Sequence, residues 1–331
     1  MLTVGVAIFG RRPPPMGGVT RSVYLTEKRL IDSGVSVRVV DYGRVRSALG
    51  ALTMLTIAPA TVSVVNVSGL RRFATLARLG LRAGKVSILF LHGGQIPAEY
   101  CEMSGRRRRT VKRLLRRADM VWCTNDSLAV FVRSRGAERV ELVSPMPSAP
   151  SRSASAPSRS AGHPRRSGDA AVFAYLGAPL YGVEVAVEAV RGLREDPRPL
   201  LTKLHVVFYG GASADTERLA RMLAPIDWVE VHRDLRPEEV ATLLSSVAIL
   251  LRPSQTDGDA MLVREALALG TRVIASSCVP RPAGVEICEP TADALSDAVR
   301  SGRTISDGSG LGVPADVALL NALAISSDKR R

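Results

Sequence analysis

The sequence predicts an α/β protein made of two domains, each with a doubly wound parallel sheet. Short apolar runs alternate with helical periodicity over residues 1–145 and again over 170–302. Between them, residues 146–169 are rich in Ser, Pro and Arg, which predicts a linker. Charge divides in the same way: residues 1–150 carry 24 basic and 9 acidic side chains, or +15, whereas 151–331 carry 21 and 22, or −1. A disordered insertion within one domain is the alternative for the linker.

The elements follow in order from these patterns. Apolar runs bounded by Gly and Pro predict strands, and periodic segments capped by Gly predict helices. In the first half the predicted strands cover 2–9, 35–41, 61–67, 86–92 and 120–124, and the predicted helices cover 19–33, 71–83, 106–118 and 126–136. In the second half the predicted strands cover 170–176, 204–209, 229–232, 247–252 and 272–276, and the helices 183–193, 216–223, 237–246, 260–269 and 292–300. The tail, 303–331, includes a candidate return helix at 316–326.

Composition excludes several classes of protein. The four cysteines lack CxxC spacing, so neither a disulfide framework nor a cysteine zinc site is expected. A reducing, cytoplasmic location is therefore expected. The N-terminus does not resemble a signal peptide. An uncharged stretch at 47–70 is long enough to span a membrane, but it contains Pro59 and Asn66. A helix followed by a buried strand at 61–67 is the preferred interpretation.

The most informative segment is ILLRPSQTDGDAMLVREALALGTRVIAS, from 249 to 276. It predicts a strand, an acidic glycine loop, a helix capped by Gly270 and another strand. Asp257 and Glu265 would lie about 12 Å apart along the helix axis, which suits the two ends of a nucleotide-sugar. The backbone amides of 258–261 open the helix and favour an anion. The alternatives are an ordinary capped α/β unit and a DxD metal site at Asp257 and Asp259.

This segment resembles the signature of retaining glycosyltransferases of family 4, which have the GT-B fold. The positions that match are Pro253, Ser254, Gly258, Glu265, Ala266, Gly270, Val273, Ile274 and Ala275. The sequence departs from the pattern at Asp257, Asp259 and Arg272, where the family has Glu, Phe and Pro. The resemblance implies two Rossmann-like parallel-sheet domains facing a central cleft, the first on the acceptor side and the second binding the donor.

The resemblance also implies a function. It predicts transfer of a hexose-type sugar from a nucleotide-sugar to a glycan or lipid-linked acceptor in surface polysaccharide or glycolipid synthesis, without metal or other cofactor. His92, at the end of a strand, and Asp257 would act at the reacting sugar. The donor would be bound by Gly17, Gly18, Gly258, Asp259, Ala260, Met261 and Glu265. A structural role for His92 and a plain glycine turn at 17–18 stay open.

One departure from the family concerns catalysis. The family usually has an Arg and a Lys in the loop after the first strand of the second domain, where they neutralise the leaving diphosphate. Here residues 177–182 read GAPLYG and contain no cation. Arg252, Arg264 and Arg21 are candidate substitutes. The alternative function is a degenerate glycosyltransferase-like protein that binds or scaffolds without turnover, and a sugar-nucleotide epimerase is a third.

A basic run, GRRRRTVKRLLRR, carries eight cations between Arg106 and Arg117. One interpretation is a solvated helix face. Another is docking on anionic lipid at the inner face of the cell membrane, which would bring the first domain to a lipid-linked acceptor. Nucleic acid is the less favoured partner, because no reader motif accompanies the charge and aromatic residues are only 4%.

Overall fold

The computed structural model describes residues 5–10, 18–41, 60–70, 73–93, 95–145, 168–175, 177–197, 199–255, 261–278, 281–301 and 313–328. These residues form two compact units. Unit 1 contains the described residues up to 145 together with 313–328, and unit 2 contains 168–301. The segment predicted as the linker lies outside the described residues except at 168–169, which belong to unit 2.

Unit 1 is built on a seven-stranded parallel sheet in the order β13-β6-β5-β4-β3-β1-β2. Its strands are β1 (Val6–Gly10), β2 (Val37–Asp41), β3 (Ala60–Val67), β4 (Gly84–Leu91), β5 (Met120–Cys123), β6 (Val140–Ser144) and β13 (Val313–Pro314). Its helices are α1 (Gly18–Asp32), α2 (Phe73–Ala83), α3 (Ile96–Glu102), α4 (Gly105–Arg117), α5 (Asp126–Arg133) and α11 (Ala315–Asp328).

Both faces of this sheet are buried, as a parallel sheet requires. Alternate residues of β4 enter different cores: Leu89 packs with Phe73 of α2, whereas Ile88 packs with Trp122 and with Leu319 of α11. Strand β13 pairs with β6, and α11 covers the second face. The C-terminal residues therefore return to unit 1, and α11 is the return helix.

Unit 2 is built on a six-stranded parallel sheet in the order β12-β11-β10-β7-β8-β9. Its strands are β7 (Ala170–Tyr175), β8 (Leu204–Tyr209), β9 (Val229–Arg233), β10 (Ile249–Arg252), β11 (Arg272–Ser276) and β12 (Glu286–Cys288). Its helices are α6 (Val183–Arg194), α7 (Ala214–Leu223), α8 (Pro237–Ser246), α9 (Met261–Ala268) and α10 (Ala292–Ser301).

The predicted α/β class with two parallel sheets is confirmed, and the departures are short elements. The sequence patterns missed α3 and strands β6, β12 and β13. Strands β12 and β13, with three and two residues, give too few positions for a period to emerge. Strand β3 confirms the buried strand at 61–67, whereas the helix predicted before it lies outside the described residues. Among the helices that the structure describes, none is long and apolar enough to cross a membrane.

Each sheet reverses its strand order beside its first strand. In unit 1, β1 lies between β2 and β3, and in unit 2, β7 lies between β8 and β10. Open α/β sheets bind ligands outside the carboxyl ends of their strands at such switch points. The residues that follow β7 and β10 in unit 2, and those that end β1, β3 and β4 in unit 1, are therefore the places to look for a site.

Candidate functional site

In unit 2, helix α9 begins soon after β10, beside the switch point. Met261 opens the described part of α9 and is buried, and Glu265 lies half-buried one turn later. The helix ends as predicted: Gly270 has φ +75°, and the amides of Gly270 and Thr271 donate to the carbonyls of Leu267 and Ala266 at 2.9 Å each. The structure thus places two predicted donor-binding residues on one helix.

The other donor-binding residues predicted on this segment are not described. Asp257, Gly258, Asp259 and Ala260 fall in 256–260, outside the described residues, as does Gly17. Their roles stay predictions.

The cation-free loop after β7 is fixed by close backbone contacts. Gly182 adopts φ +69°, and a Cβ there would lie 2.4 Å from the carbonyl oxygen of Pro253. The amide of Gln255 donates to the carbonyl of Leu180 at 2.8 Å. Gly177 has φ +63°, and its Cβ would lie 2.7 Å from the amide nitrogen of Thr216. The loops that follow β7 and β10 are therefore held against each other at the switch point.

Arg252 places a positive charge beneath this loop. It is the last residue of β10 and is only 4% exposed. Its Nη1 donates to the carbonyl of Phe173 at 3.1 Å, and its guanidinium lies 4.7 Å from the centre of the Tyr181 ring. Tyr181 belongs to the cation-free loop, so a buried cation lies directly against the segment in which the family carries its Arg and Lys.

A second buried arginine, Arg281, lies in the segment between β11 and β12, and no sequence pattern marks it. It is 2% exposed, and its Nε donates to the carbonyl of Ser276 at 3.0 Å. Ser276 Oγ donates to the carbonyl of Ser254 at 2.5 Å. Arg281 therefore links the turn after β11 to the Pro-Ser turn after β10. Its surroundings, VPRPAG, have no periodicity that would have identified it.

In unit 1, His92 and Asn66 form a buried pair at the carboxyl ends of β3 and β4. Asn66 Nδ2 donates to the carbonyl of Phe9, at the end of β1, at 3.3 Å. Its Oδ1 is therefore the atom that accepts from His92 Nε2, at 2.8 Å. This assignment leaves His92 Nδ1 as an acceptor. The role of Asn66 was not predicted, because a single polar residue within an apolar strand does not indicate which side chain it contacts.

Burial keeps His92 neutral. Desolvation lowers the pKa of His92 to about 3. The ring packs against Phe90 at 4.0 Å between centroids, and the next residue, Gly93, could not carry a Cβ, which would lie 2.3 Å from the carbonyl oxygen of Ser68. At neutral pH this imidazole can donate at Nε2 and accept at Nδ1, but it does not supply a proton as a charged acid.

The remaining candidates have simpler settings. Gly18 is the first residue of α1, and a Cβ there would meet nothing within 4 Å, so its described neighbours do not require glycine. Arg21 and Arg264 are half-buried on α1 and α9. Neither is shown to take the place of the missing cations.

The chain matches a family model and several solved structures. Residues 170–301, which are nearly all of unit 2, match the model described as "Glycosyl transferases group 1". No curated protein matches the sequence significantly.

Over nearly its whole length the chain is similar in structure to several solved proteins. HepE from Anabaena, solved with UDP and glucose, has a TM-score of 0.62 at 14% identity over 98% of this chain and 95% of its own. Sucrose-phosphate synthase from Thermosynechococcus elongatus has 0.61 at 16% identity, covering 98% and 97%. Trehalose-phosphate synthase from Burkholderia xenovorans has 0.61 at 12% identity, covering 99% and 98%. Residues 170–301 therefore match the group 1 glycosyl transferase model, and the chain has the GT-B fold of these solved structures.

Proposed function

We propose that the protein is a retaining enzyme that transfers a hexose-type sugar from a nucleotide-sugar to a glycan or lipid-linked acceptor in surface polysaccharide or glycolipid synthesis. The observation that carries this proposal is the position of α9, whose described start and Glu265 follow β10 beside the switch point of unit 2. HepE, a structural neighbour, was solved with UDP and glucose, so a UDP-hexose is the first donor to test.

In this proposal each residue contacts one part of the donor. Glu265 accepts hydrogen bonds from the ribose hydroxyls, and the amides of 258–261, with Gly17 and Gly18, face the diphosphate. Asp257 holds sugar hydroxyls. His92 accepts from a hydroxyl of the reacting sugar at Nδ1, with its ring fixed by Asn66. Retention needs neither a metal nor an enzymic nucleophile if the leaving phosphate takes the acceptor's proton on the same face.

The first test is thermal stabilisation of the protein by UDP, GDP, ADP and their sugars. A ligand at 100 times its dissociation constant adds about 2.7 kcal/mol to stability, so one base should raise the melting temperature measurably. Glu265→Gln should abolish that rise. The carboxylate of Glu265 has two acceptor oxygens, one for each ribose hydroxyl, whereas the amide of Gln has only one. Glu238→Gln, an exposed position on α8, is the matched control and should leave the rise unchanged. A panel without any stabilising nucleotide would contradict the donor site.

The alternative, binding without turnover, has an observation in its favour. Arg252, beside the cation-free loop, and Arg281, beside the Pro-Ser turn, are both buried and donate to backbone carbonyls, which is a structural arrangement. The two hypotheses differ in product formation with the stabilising donor. Turnover that persists in EDTA would support the metal-independent enzyme, whereas nucleotide binding without any sugar release or transfer would support a scaffold.

We also propose that unit 1 docks on anionic membranes through α4, at the inner face of the cell membrane. The apolar stripe of α4, Val111, Leu114 and Leu115, is buried in the core of unit 1. The eight cations of the helix are all exposed: Arg106, Arg107, Arg108, Arg109, Lys112, Arg113, Arg116 and Arg117. Among the described residues, no carboxylate forms an ion pair with any of them. Their positive charges can therefore attract an anionic lipid surface.

Vesicle binding tests this docking. Each cation near an anionic surface contributes about 1 kcal/mol, or roughly fivefold in affinity. Changing Arg106, Arg107, Arg109 and Arg113 to Gln should therefore weaken binding to phosphatidylglycerol vesicles by roughly several hundredfold, because each of the four cations contributes about fivefold. The control changes four arginines of unit 2 that already pair with carboxylates: Arg191, Arg218, Arg233 and Arg236. It removes the same net charge, and equal weakening by both variants would argue against a patch on α4.

A further inference from the structure

Away from the donor site, two histidines and a glutamate converge on one face of the sheet of unit 2. His205 is the second residue of β8, and Glu230 and His232 are the second and fourth residues of β9, the edge strand. The register pairs His205 with Glu230 and Val207 with His232, so the three side chains share one face. His205 and Glu230 lie toward the amino ends of their strands and His232 two residues further along β9, whereas the switch-point site lies beyond the carboxyl ends of the strands.

The distances within this cluster suit a single metal ion. His205 Nδ1 lies 3.0 Å from His232 Nε2 and 3.6 Å from Glu230 Oε2, and His232 Nε2 lies 3.6 Å from Glu230 Oε1. Ligand atoms bound tetrahedrally to Zn²⁺ at about 2.0–2.1 Å are separated by about 3.3 Å. All three ligand atoms lie within 4.8 Å of one another, so little rotation is needed for them to meet one ion.

The second nitrogen of His205 lies near a buried carboxylate. His205 Nε2 lies 3.8 Å from Asp169 Oδ2, and Asp169 Oδ1 accepts from Thr202 Oγ1 at 2.5 Å. Metal-binding imidazoles are oriented by donating their second N–H to a carboxylate, and His205 Nε2 would have to move about 1 Å closer to Asp169 to make that hydrogen bond. Here it would direct Nδ1 of His205 toward Glu230 and His232. The side chains of His205 and Asp169 are mostly buried, so this support is part of the fold.

We propose that His205, Glu230 and His232 bind one Zn²⁺ ion, with Asp169 as the positioning residue and water in the fourth position. Two imidazoles and a carboxylate are ligands that Zn²⁺ prefers. The ion ties edge strand β9 to β8 and, through Asp169, to the segment that enters β7. Lys203 is the one nearby cation among the described residues, with Nζ 4.0 Å from Glu230 Oε2, and it is exposed enough to turn away. This proposal is independent of the proposed glycosyl transfer.

Titration of the untagged full chain with Zn²⁺, followed by calorimetry, tests the proposal. We expect one ion per chain, and a dissociation constant at least 100-fold higher for His205→Gln and for His232→Gln. Asp169→Asn should raise it by about 10–100-fold, as the loss of an outer carboxylate does. Glu230→Gln alters a half-exposed side chain and guards against misfolding of the histidine variants, and circular dichroism of each metal-free variant should match that of the unmodified protein.

Two controls separate this site from other sources of binding. Cys101 and Cys278 are exposed thiols, so the titration is repeated with both changed to Ser, and Co²⁺ should then give a tetrahedral spectrum without sulfur-to-metal charge transfer. Lys203→Gln should bind at least as tightly as the unmodified protein. The absence of Zn²⁺ binding, binding lost with the two cysteines, or binding retained in the double histidine variant would overturn the proposal and leave a hydrogen-bonded histidine pair.

Discussion

Gly182→Ala is expected to destabilise unit 2 by about 2–4 kcal/mol, the range of strongly disruptive single substitutions. Gly182 has φ +69°, a conformation that costs a non-glycine residue about 1–2 kcal/mol. In addition, the new Cβ would lie 2.4 Å from the carbonyl oxygen of Pro253, so the loops after β7 and β10 would have to separate. The bond from Gln255 to Leu180 would be strained or lost. Hydrogen exchange measured on peptides of β7 and β10 reports this change directly.

Two other glycines separate the causes of this effect. Gly211 has φ +93°, yet a Cβ there would meet nothing within 4 Å, so Gly211→Ala should cost only the backbone term of about 1–2 kcal/mol. Gly192 lies inside α6 with open space around it, and Gly192→Ala should stabilise the unit by about 0.5–1 kcal/mol. If Gly182→Ala and Gly211→Ala cost the same, contact with Pro253 is not what fixes the loop.

The sequence predicted well wherever a period could develop. The strands at 204–209 and 272–276 were predicted with the bounds that β8 and β11 have, and α8 likewise occupies 237–246. Each is marked by apolar periodicity and by flanking Gly, Pro or polar residues. The cap at Gly270 was predictable for the same reason, since its signal lies within a few neighbouring residues.

The contacts that matter for chemistry were not predictable in this way. Asn66 meets His92 because β3 and β4 are neighbours, and His205 meets His232 because β8 and β9 pair in one register. These pairings depend on sheet order, which no local pattern encodes. The buried setting of Arg252 likewise depends on Tyr181, 71 positions earlier in the chain, lying over its guanidinium.

The second large effect concerns His92 and acid. Its folded pKa is about 3, below the value near 6.5 expected in the unfolded chain, so unfolding takes up a proton at any pH between the two. The neutral histidine contributes its full stability above pH 6.5, and this is lost as the pH falls toward 3. The loss is about 1.4 kcal/mol per pH unit, or about 2 kcal/mol at pH 5. His92 is the sole histidine among the described residues of unit 1, so no other described imidazole of that unit contributes to the change in stability between pH 5 and 7.

Urea unfolding at pH 7.5 and pH 5 isolates this contribution. Of the two tryptophans, Trp122 is fully buried in unit 1 and contacts Phe90 edge-on at 5.6 Å between ring centroids. In a Trp228→Phe background its fluorescence therefore reports the unfolding of unit 1. His92→Gln keeps a donor for Asn66 Oδ1 but does not titrate, so this variant should lose about 2 kcal/mol less than the parent between the two pH values. Carboxylates titrate equally in both proteins and cancel in the difference. Equal losses would mean that His92 reaches solvent and takes up its proton in the folded state, and the neutral acceptor proposed for the sugar hydroxyl would then be a cation.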